Sequence, residues 1–242
     1  MRFSIVTAVL NDAAHIGETM ASVLDEQPGI DLEYIVIDGA STDGTRAVVE
    51  KRAAELARFV SEPDSGIYEA MNKGVALATG DIVGIINSGD RYFPGALQLV
   101  ADAMAGKCDD RHIFWGDVEY ENGGRVRGFR PEKRYIGAFA PHPSMFVPLA
   151  YYRKFGAYDA GMKLLGDYDF MYKAVNVRHV EPVYLPELIA FYRAGGLSDR
   201  HIFACLRDEL EVKLRYGASP AAAYALWFLK MLKNMPRQIL AK

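Results

Sequence analysis

The run LEYIVID, Leu32 to Asp38, is apolar at both sets of alternating positions and ends in a carboxylate. A strand that is apolar on both faces must be covered on both, which calls for a sheet between two layers of helices. The flanking pattern supplies those layers. Phe3 to Val9 reads as a first strand, RFVSE as a short third and DIVGIIN as a fourth. Between them lie helical patterns. The first runs roughly from Ala13 to Glu26, with Ile16, Met20, Val23 and Leu24 on one face. STDGTRAVVEKRAAEL follows, with Ser41, Thr42 or Asp43 as its N-cap. GIYEAMNKGVALA places Ile67, Met71, Val75 and Ala78 together. This alternation predicts an α/β protein, a Rossmann-like, mostly parallel sheet with helices on both faces.

The second half is less regular. HIFWGDVEY and RVRGFR flank ENGG as a hairpin, DYDFMYKAV begins like a helix, and VYLPELIAFYR reads as one or two short strands. From His201 onward the pattern is helical, with Pro220 marking a break between two helices. With 242 residues, half of them apolar, the chain can bury one sizeable core. A net charge of −3 gives no pull toward nucleic acid, and none is expected as a partner. No apolar run is long enough to span a bilayer. MRFSIVTAVLND suits a strand better than a signal peptide, and Cys108 and Cys205 form no metal-ligand spacing. A cytoplasmic protein is expected.

Ligands of such sheets bind past the carboxyl ends of the strands, which here carry Asn11, Asp38, Asp64 and Asp90. Asp38 suits the imide N–H of a nucleobase, or a cap on the turn that follows. In INSGD, Asn87, Ser88, Gly89 and Asp90 emerge from the fourth strand. Gly89 lets a ligand approach the backbone, and Asp90 offers the hard oxygens that Mg²⁺ or Mn²⁺ prefers. One carboxylate suffices where a diphosphate supplies further ligands; otherwise the segment is a plain turn. LLGDYDF sets Asp167 and Asp169 at a helix start, either as first-turn acids or as a general base.

Taken in order, these segments resemble the inverting glycosyltransferases of family 2, which have the GT-A fold. SIVTAVLNDAAHIGETMASVL is similar to the opening strand and helix, EYIVIDGASTDGT to the nucleotide-binding strand end, and SEPDSGIYEAMNKGVALATGDIVGIINSGDRYFPGAL to a bacterial branch leading into the metal-binding turn. HPSMFVPLAYYRKFGAYDAGMKLLGDYDF resembles the acceptor half. The likeness runs from about Phe3 to about Ser198. It implies a GT-A unit over residues 1–200, with a donor half to about 100, an acceptor half after it, and a helical extension over 201–242.

The resemblance implies that Thr7 lies on a loop touching the nucleoside, that Asp38 binds the base, and that Asp64 and Lys73 line the nucleotide. Asp90 matches the direct metal ligand of the Asp-x-Asp motif, and Asp167 the catalytic base of the Glu-Asp motif. Accessory acids of the family are Asn87 and Gly89 here, with Asn87 still able to bond a ribose hydroxyl. The Glu of Glu-Asp is Gly166, leaving Asp169 as a competitor for the base, and an arginine common in the family is Met71. The Gln-x-x-Arg-Trp signature of processive members is absent, which points to transfer of one sugar. His142 and Arg193 are read either as contacts to phosphate or acceptor, or as a turn histidine and a packing arginine.

The implied reaction takes a UDP or GDP sugar, with Mn²⁺ or Mg²⁺ at the diphosphate, to a saccharide or lipid-linked acceptor. A sugar nucleotidyltransferase would place a basic, glycine-rich loop after the first strand, where LNDAAHIGE has no lysine or arginine. A non-catalytic carbohydrate- or nucleotide-binding module would not need both Asp90 and Asp167. From Val212 to Lys242 there are six basic residues, Lys213, Arg215, Lys230, Lys233, Arg237 and Lys242, and no acid. At about 100° per residue Tyr224, Trp227, Phe228 and Met231 share a face. That face suits a peripheral contact with the inner surface of the cell membrane through residues 220–242, packing on the catalytic unit, or a homodimer.

Overall fold

The computed structural model describes residues 1–128 and 140–239, without the side chains of residues 197 and 236–239. Strands β1 (Arg2–Val9), β2 (Asp31–Asp38), β3 (Arg58–Ser61) and β4 (Ile82–Ile85) form the parallel frame in the order β3-β2-β1-β4. Helices α1 (Ile16–Leu24), α2 (Thr45–Glu50) and α3 (Ile67–Leu77) connect them. Beyond β4 the sheet continues through β8 (Met145–Pro148), β6 (His112–Tyr120), β9 (Glu181–Tyr192) and the two-residue β5 (Arg91–Tyr92). β8 is antiparallel to both β4 and β6, and β6 is parallel to β9. The ENGG turn carries β6 into the short antiparallel β7 (Arg125–Val126); Arg130, at the end of the expected second hairpin strand, lies outside the described residues.

The alternation along β1 and β2 sorts the core into two layers. Phe3, Ile5, Tyr34 and Val36 pack toward α1 and α4 (Ala96–Ala103). Val6, Ala8, Ile35 and Ile37 pack toward α3, α5 (Leu149–Phe155) and α6 (Gly166–Tyr172). Each fully buried aliphatic side chain stabilises this arrangement by roughly 1.5–3 kcal/mol. Gly74 lets α3 lie directly on the sheet, since a Cβ there would sit 2.2 Å from Val6 Cγ1.

Four expectations are corrected in detail. The second helix starts after Gly44, whose φ of 102° suits glycine; Asp43 accepts from the Thr45 N–H and hydroxyl without capping as expected. VYLPELIAFYR, read as one or two short strands, is a single longer one, the twelve-residue β9, which ends at Tyr192 just before Arg193. Its register against β6 slips across residues 185–187, where Pro186 has no N–H to donate. Pro220 opens α9 (Pro220–Ile239), and the break falls at Gly217 (φ 81°), after α8 (Ile202–Arg215). The proposed apolar face of α9 straddles its contact with α8: Trp227 and Met231 are half-buried, while Tyr224, Phe228, Leu229, Leu232 and Met235 point outward. Lys230 turns inward to Glu209, which also holds the buried Lys213. Two of the lysines meant for an anionic surface are therefore already paired. Among the described residues no helix is long and apolar enough to cross a membrane.

Candidate active site

A cleft of about 390 Å³ opens at the carboxyl end of β4. One wall is the turn that follows the strand. Ser88 N–H donates to Ala8 O at 3.2 Å and Asp90 N–H to Asn87 O at 3.1 Å. Thr19, from α1, receives the Gly89 N–H at 3.0 Å and donates its hydroxyl to Asp90 O at 2.8 Å. Gly89 holds φ at 95°, so the turn needs glycine there on backbone grounds. Asp90 is buried at 6% exposure, and one oxygen accepts the Arg193 N–H at 3.0 Å. Burial pushes its carboxyl up to about 7; the Arg193 contact opposes the rise, while Asp12 and Asp199 add to it.

The turn has a polar rear support. Ser88 Oγ donates to Asp12 Oδ2 at 2.6 Å, and the other Asp12 oxygen lies 2.5 Å from His15 Nδ1. Arg193 closes the far side from the end of β9. Its guanidinium meets Glu121 at 3.3 Å and Glu18 at 3.2 Å, and its Nε approaches Gly89 O at 3.4 Å. It lines the cleft with its charge already shared between two acids.

Facing this wall are Asp167, at the start of α6, and His142, in a 3-10 turn over His142–Ser144. Asp167 Oδ1 accepts from its neighbour Tyr168 N–H at 2.9 Å and lies 3.2 Å from the Tyr68 hydroxyl. His142 is buried, with Nε2 3.2 Å from Tyr158 OH, and burial pushes its pKa down, which keeps it neutral at pH 7. Asp169 points elsewhere, toward Arg215 at 3.3 Å and Tyr216 OH at 3.4 Å, as part of the seam between α6 and α8.

Asn87, Ser88, Asp90, His142, Asp167 and Arg193 therefore share one cleft, with Gly89 directly behind Arg193. Four expected residues do not line it. Thr7 is inside β1, fully buried, with its hydroxyl 2.9 Å from Tyr34 OH, so the expected loop position is a strand position. Lys73 pairs with Glu62 at 2.9 Å and Glu69 at 3.2 Å and donates to Pro63 O, tying the 62–64 loop to α3. Asp38 is buried and accepts from Ser41 N–H and from Ser61 Oγ at 2.7 Å, the capping alternative. Asp64 lies beside Gly39 and accepts the Gly66 N–H at 3.0 Å. Asp38 thus ends β2, and Asp64, past β3, lies beside the residue that follows Asp38. His15, Tyr68, Lys163, Tyr192 and Arg200 line the cleft without having been singled out from sequence. All but Arg200 lay inside quoted segments, where nothing local marked them as cleft residues.

For a divalent cation the donor set is small but of the right chemistry. Asp90 has one oxygen without a hydrogen-bond donor among the described residues, and Asn87 Oδ1 is buried without a partner. Among the described residues no group of three or more acidic, histidine or cysteine side chains is placed to hold a metal. A cation would need a ligand's own oxygens to complete its shell, as Mg²⁺ commonly does with phosphates.

This is the sheet of a GT-A protein, and comparison with known proteins agrees. The model for Glycosyl transferase family 2 matches residues 4–166, and the chain belongs to that family. It is 30% identical over 223 residues to an uncharacterised glycosyltransferase of Mycobacterium tuberculosis, covering 88% of this chain and 84% of the relative. It is 26% identical to a PGL/p-HBAD biosynthesis glycosyltransferase of Mycobacterium bovis, over 89% and 86%. Among solved structures, Staphylococcus aureus TarS 1-349 in complex with UDP-GlcNAc superposes with a TM-score of 0.70 at 18% identity, over 94% of this chain and 70% of that one. The mannosyltransferase PcManGT of Pyrobaculum calidifontis, in complex with GDP-Man and Mn²⁺, gives 0.64 at 18%, over 99% and 78%. At these identities the structural likeness speaks to the fold.

Proposed function

We propose that this family 2 glycosyltransferase moves one sugar, with inversion, from a nucleoside diphosphate sugar to an acceptor hydroxyl in surface polysaccharide or glycolipid assembly. The observation that carries the reading is that Asp90 and Asp167 face one cleft at the carboxyl ends of the parallel strands. The diphosphate lies against the 87–90 turn, with Lys163 and Arg200 at the cleft supplying positive charge. The base reaches past Ile67 toward Asp38 and Asp64. Asp90 and Asn87 would hold Mn²⁺ or Mg²⁺, which supplies charge neutralisation for the diphosphate. Asp167 takes the acceptor proton as the acceptor oxygen attacks the anomeric carbon from the face opposite the diphosphate. The bond from that carbon to the diphosphate oxygen breaks, the nucleoside diphosphate leaves, and the configuration inverts.

Complexes of the structural neighbours with UDP-GlcNAc and with GDP-Man and Mn²⁺ make those two donors the first to try. Thermal shift with UDP-GlcNAc, GDP-mannose and other UDP sugars, each with and without Mn²⁺, is expected to single out one donor that raises the melting temperature. Failure of every nucleotide sugar to stabilise the protein would count against the reading.

The relative in glycolipid biosynthesis favours a lipid-borne acceptor, and the outward stripe of α9 suits a membrane surface. With Lys213 and Lys230 consumed internally, attraction rests on Tyr224, Phe228, Leu232 and Met235 more than on charge. The full chain is expected to sediment with anionic vesicles, while Phe228→Glu/Leu232→Glu does not. A monodisperse dimer that stays in the supernatant, and that the same pair of substitutions splits, would assign the stripe to a second subunit instead.

A further inference from the structure

The resemblance implies a glutamate at position 166, where this chain has glycine, and the structure shows what fills that space. A Cβ on Gly166 would lie 2.8–2.9 Å from three atoms of the Tyr68 ring. Tyr68 sits in the first turn of α3, buried, and stacks on Tyr158 with ring centroids 5.9 Å apart at 28°. Four residues on, and so on the same face of α3, Asn72 bonds both backbone groups of Tyr158. Its Nδ2 donates to Tyr158 O at 2.9 Å and its Oδ1 accepts the Tyr158 N–H at 3.0 Å. The helix and the 158 loop are locked to each other, and the Tyr68 ring is held between Tyr158 and Gly166.

The hydroxyl at the end of that ring has two acceptors in reach, Leu164 O at 2.9 Å and Asp167 Oδ1 at 3.2 Å. A phenol carries one hydrogen, so the two compete. While Asp167 is ionised, its charge draws the hydrogen to Oδ1. Once Asp167 holds a proton, the phenol hydrogen rests on Leu164 O and the phenol oxygen accepts from the carboxylic acid. One hydroxyl thus serves both protonation states of its neighbour. Burial, reinforced by the Asp167 charge, pushes the phenol far above its ordinary range and keeps it a neutral donor. Oδ1 is held from two sides, by Tyr68 and by Tyr168 N–H, while Oδ2 has no donor among the described residues.

We propose that Tyr68 is a positioning residue for Asp167: seated in the space that a side chain at position 166 would need, it fixes Oδ1 and leaves Oδ2 to the acceptor hydroxyl. This rests on Asp167 being the base. It also makes Gly166 and Tyr68 a coupled pair, in which glycine is required because the ring is there.

The test has a readout that needs no substrate. In protein labelled with ¹³C at aspartate carboxyls, the Asp167 signal is assigned by its loss in Asp167→Asn and titrated. In Tyr68→Phe the donor to the charged form is gone, so Asp167 is expected to titrate higher than in the unaltered protein. The other titratable groups around it, His142, Tyr158, Lys163, Tyr192, Arg200 and Cys205, are common to both proteins and cannot produce the difference. With the donor found by thermal shift, release of the nucleoside diphosphate is expected to fall about tenfold to a hundredfold at unchanged KM for the donor. Its acidic limb is expected to move up with the titration. Gly166→Ala keeps every titratable group but displaces the ring, and the same shift is expected there, which covers the case that Tyr68→Phe does not fold. An unmoved Asp167 titration in whichever variant folds overturns the proposal, even with Asp167→Asn inactive. Asp167→Asn retaining full turnover would instead overturn the base assignment beneath it.

Discussion

Asp167→Asn is expected to bind donor as the unaltered protein does and to lose transfer by about 10²–10⁴-fold, the range of a missing general base. The substitution is close to isosteric. An asparagine carbonyl can still accept from Tyr168 N–H and from Tyr68, so the start of α6 keeps its bonds. What it cannot do is take a proton from the acceptor. Asp169→Asn is the control, because the two acids start the same helix and point to different places. Asp169 is buried against Arg215 and Tyr216, and burial pushes its pKa up against the pull of Arg215. Its loss should act on the seam between α6 and α8 and appear as a lower melting temperature with turnover per folded molecule preserved. If Asp169→Asn abolishes transfer and Asp167→Asn does not, the base is misassigned by two residues.

The halves of the molecule were unequally legible in the sequence, for a physical reason. In the first hundred or so residues each element carries its own pattern: two-sided apolar strands, one-sided helices, polar residues at the strand ends. Local chemistry therefore locates β1 to β4 and the turn that holds Asp90. What escaped was set by partners distant in the chain. Tyr68 meets Asp167 across 99 residues. Arg193 is held by Glu18 and Glu121, and Lys73 by two glutamates, so neither is the free cation its identity suggests. The resemblance set Thr7 on a loop, whereas the strand pattern of Phe3 to Val9 already placed it inside β1, where its hydroxyl meets Tyr34. The outward face of α9 is rotated from the expected one, with Ala223 and Trp227 packed inward and Lys230 turned to Glu209. One signal for Tyr68 was present in the sequence. Tyr68 and Asn72 stand four apart on a helix, addressing one face, and a glycine, Gly166, stands directly before Asp167.

The 87–90 turn is a metal site if its buried acid behaves as follows. Asp90 rises from 3.8 to about 7 in the folded protein because burial penalises its charge. The folded state therefore holds a proton more tightly than the unfolded chain between those values. By linkage, stability of the metal-free protein falls as pH rises through that window, by on the order of 4 kcal/mol once Asp90 is fully ionised. Asp90→Asn removes the penalty while its carbonyl can still accept the Arg193 N–H. The variant should match the unaltered protein near pH 4 and exceed it at pH 8, read by urea midpoints without metal. With Mn²⁺ and the donor's nucleoside diphosphate at pH 8 the order should reverse, since a cation rewards the charge that burial penalises. The unaltered protein then gains stability and Asp90→Asn gains none. Asn87→Ala should lose part of that gain, because its buried Oδ1 has no other partner among the described residues. Asp90→Ala is expected to abolish metal-dependent binding of the donor in calorimetry. Metal dependence that survives in Asp90→Ala would make Gly89 and Asp90 a structural turn only, and the cation would have to be held elsewhere in the cleft.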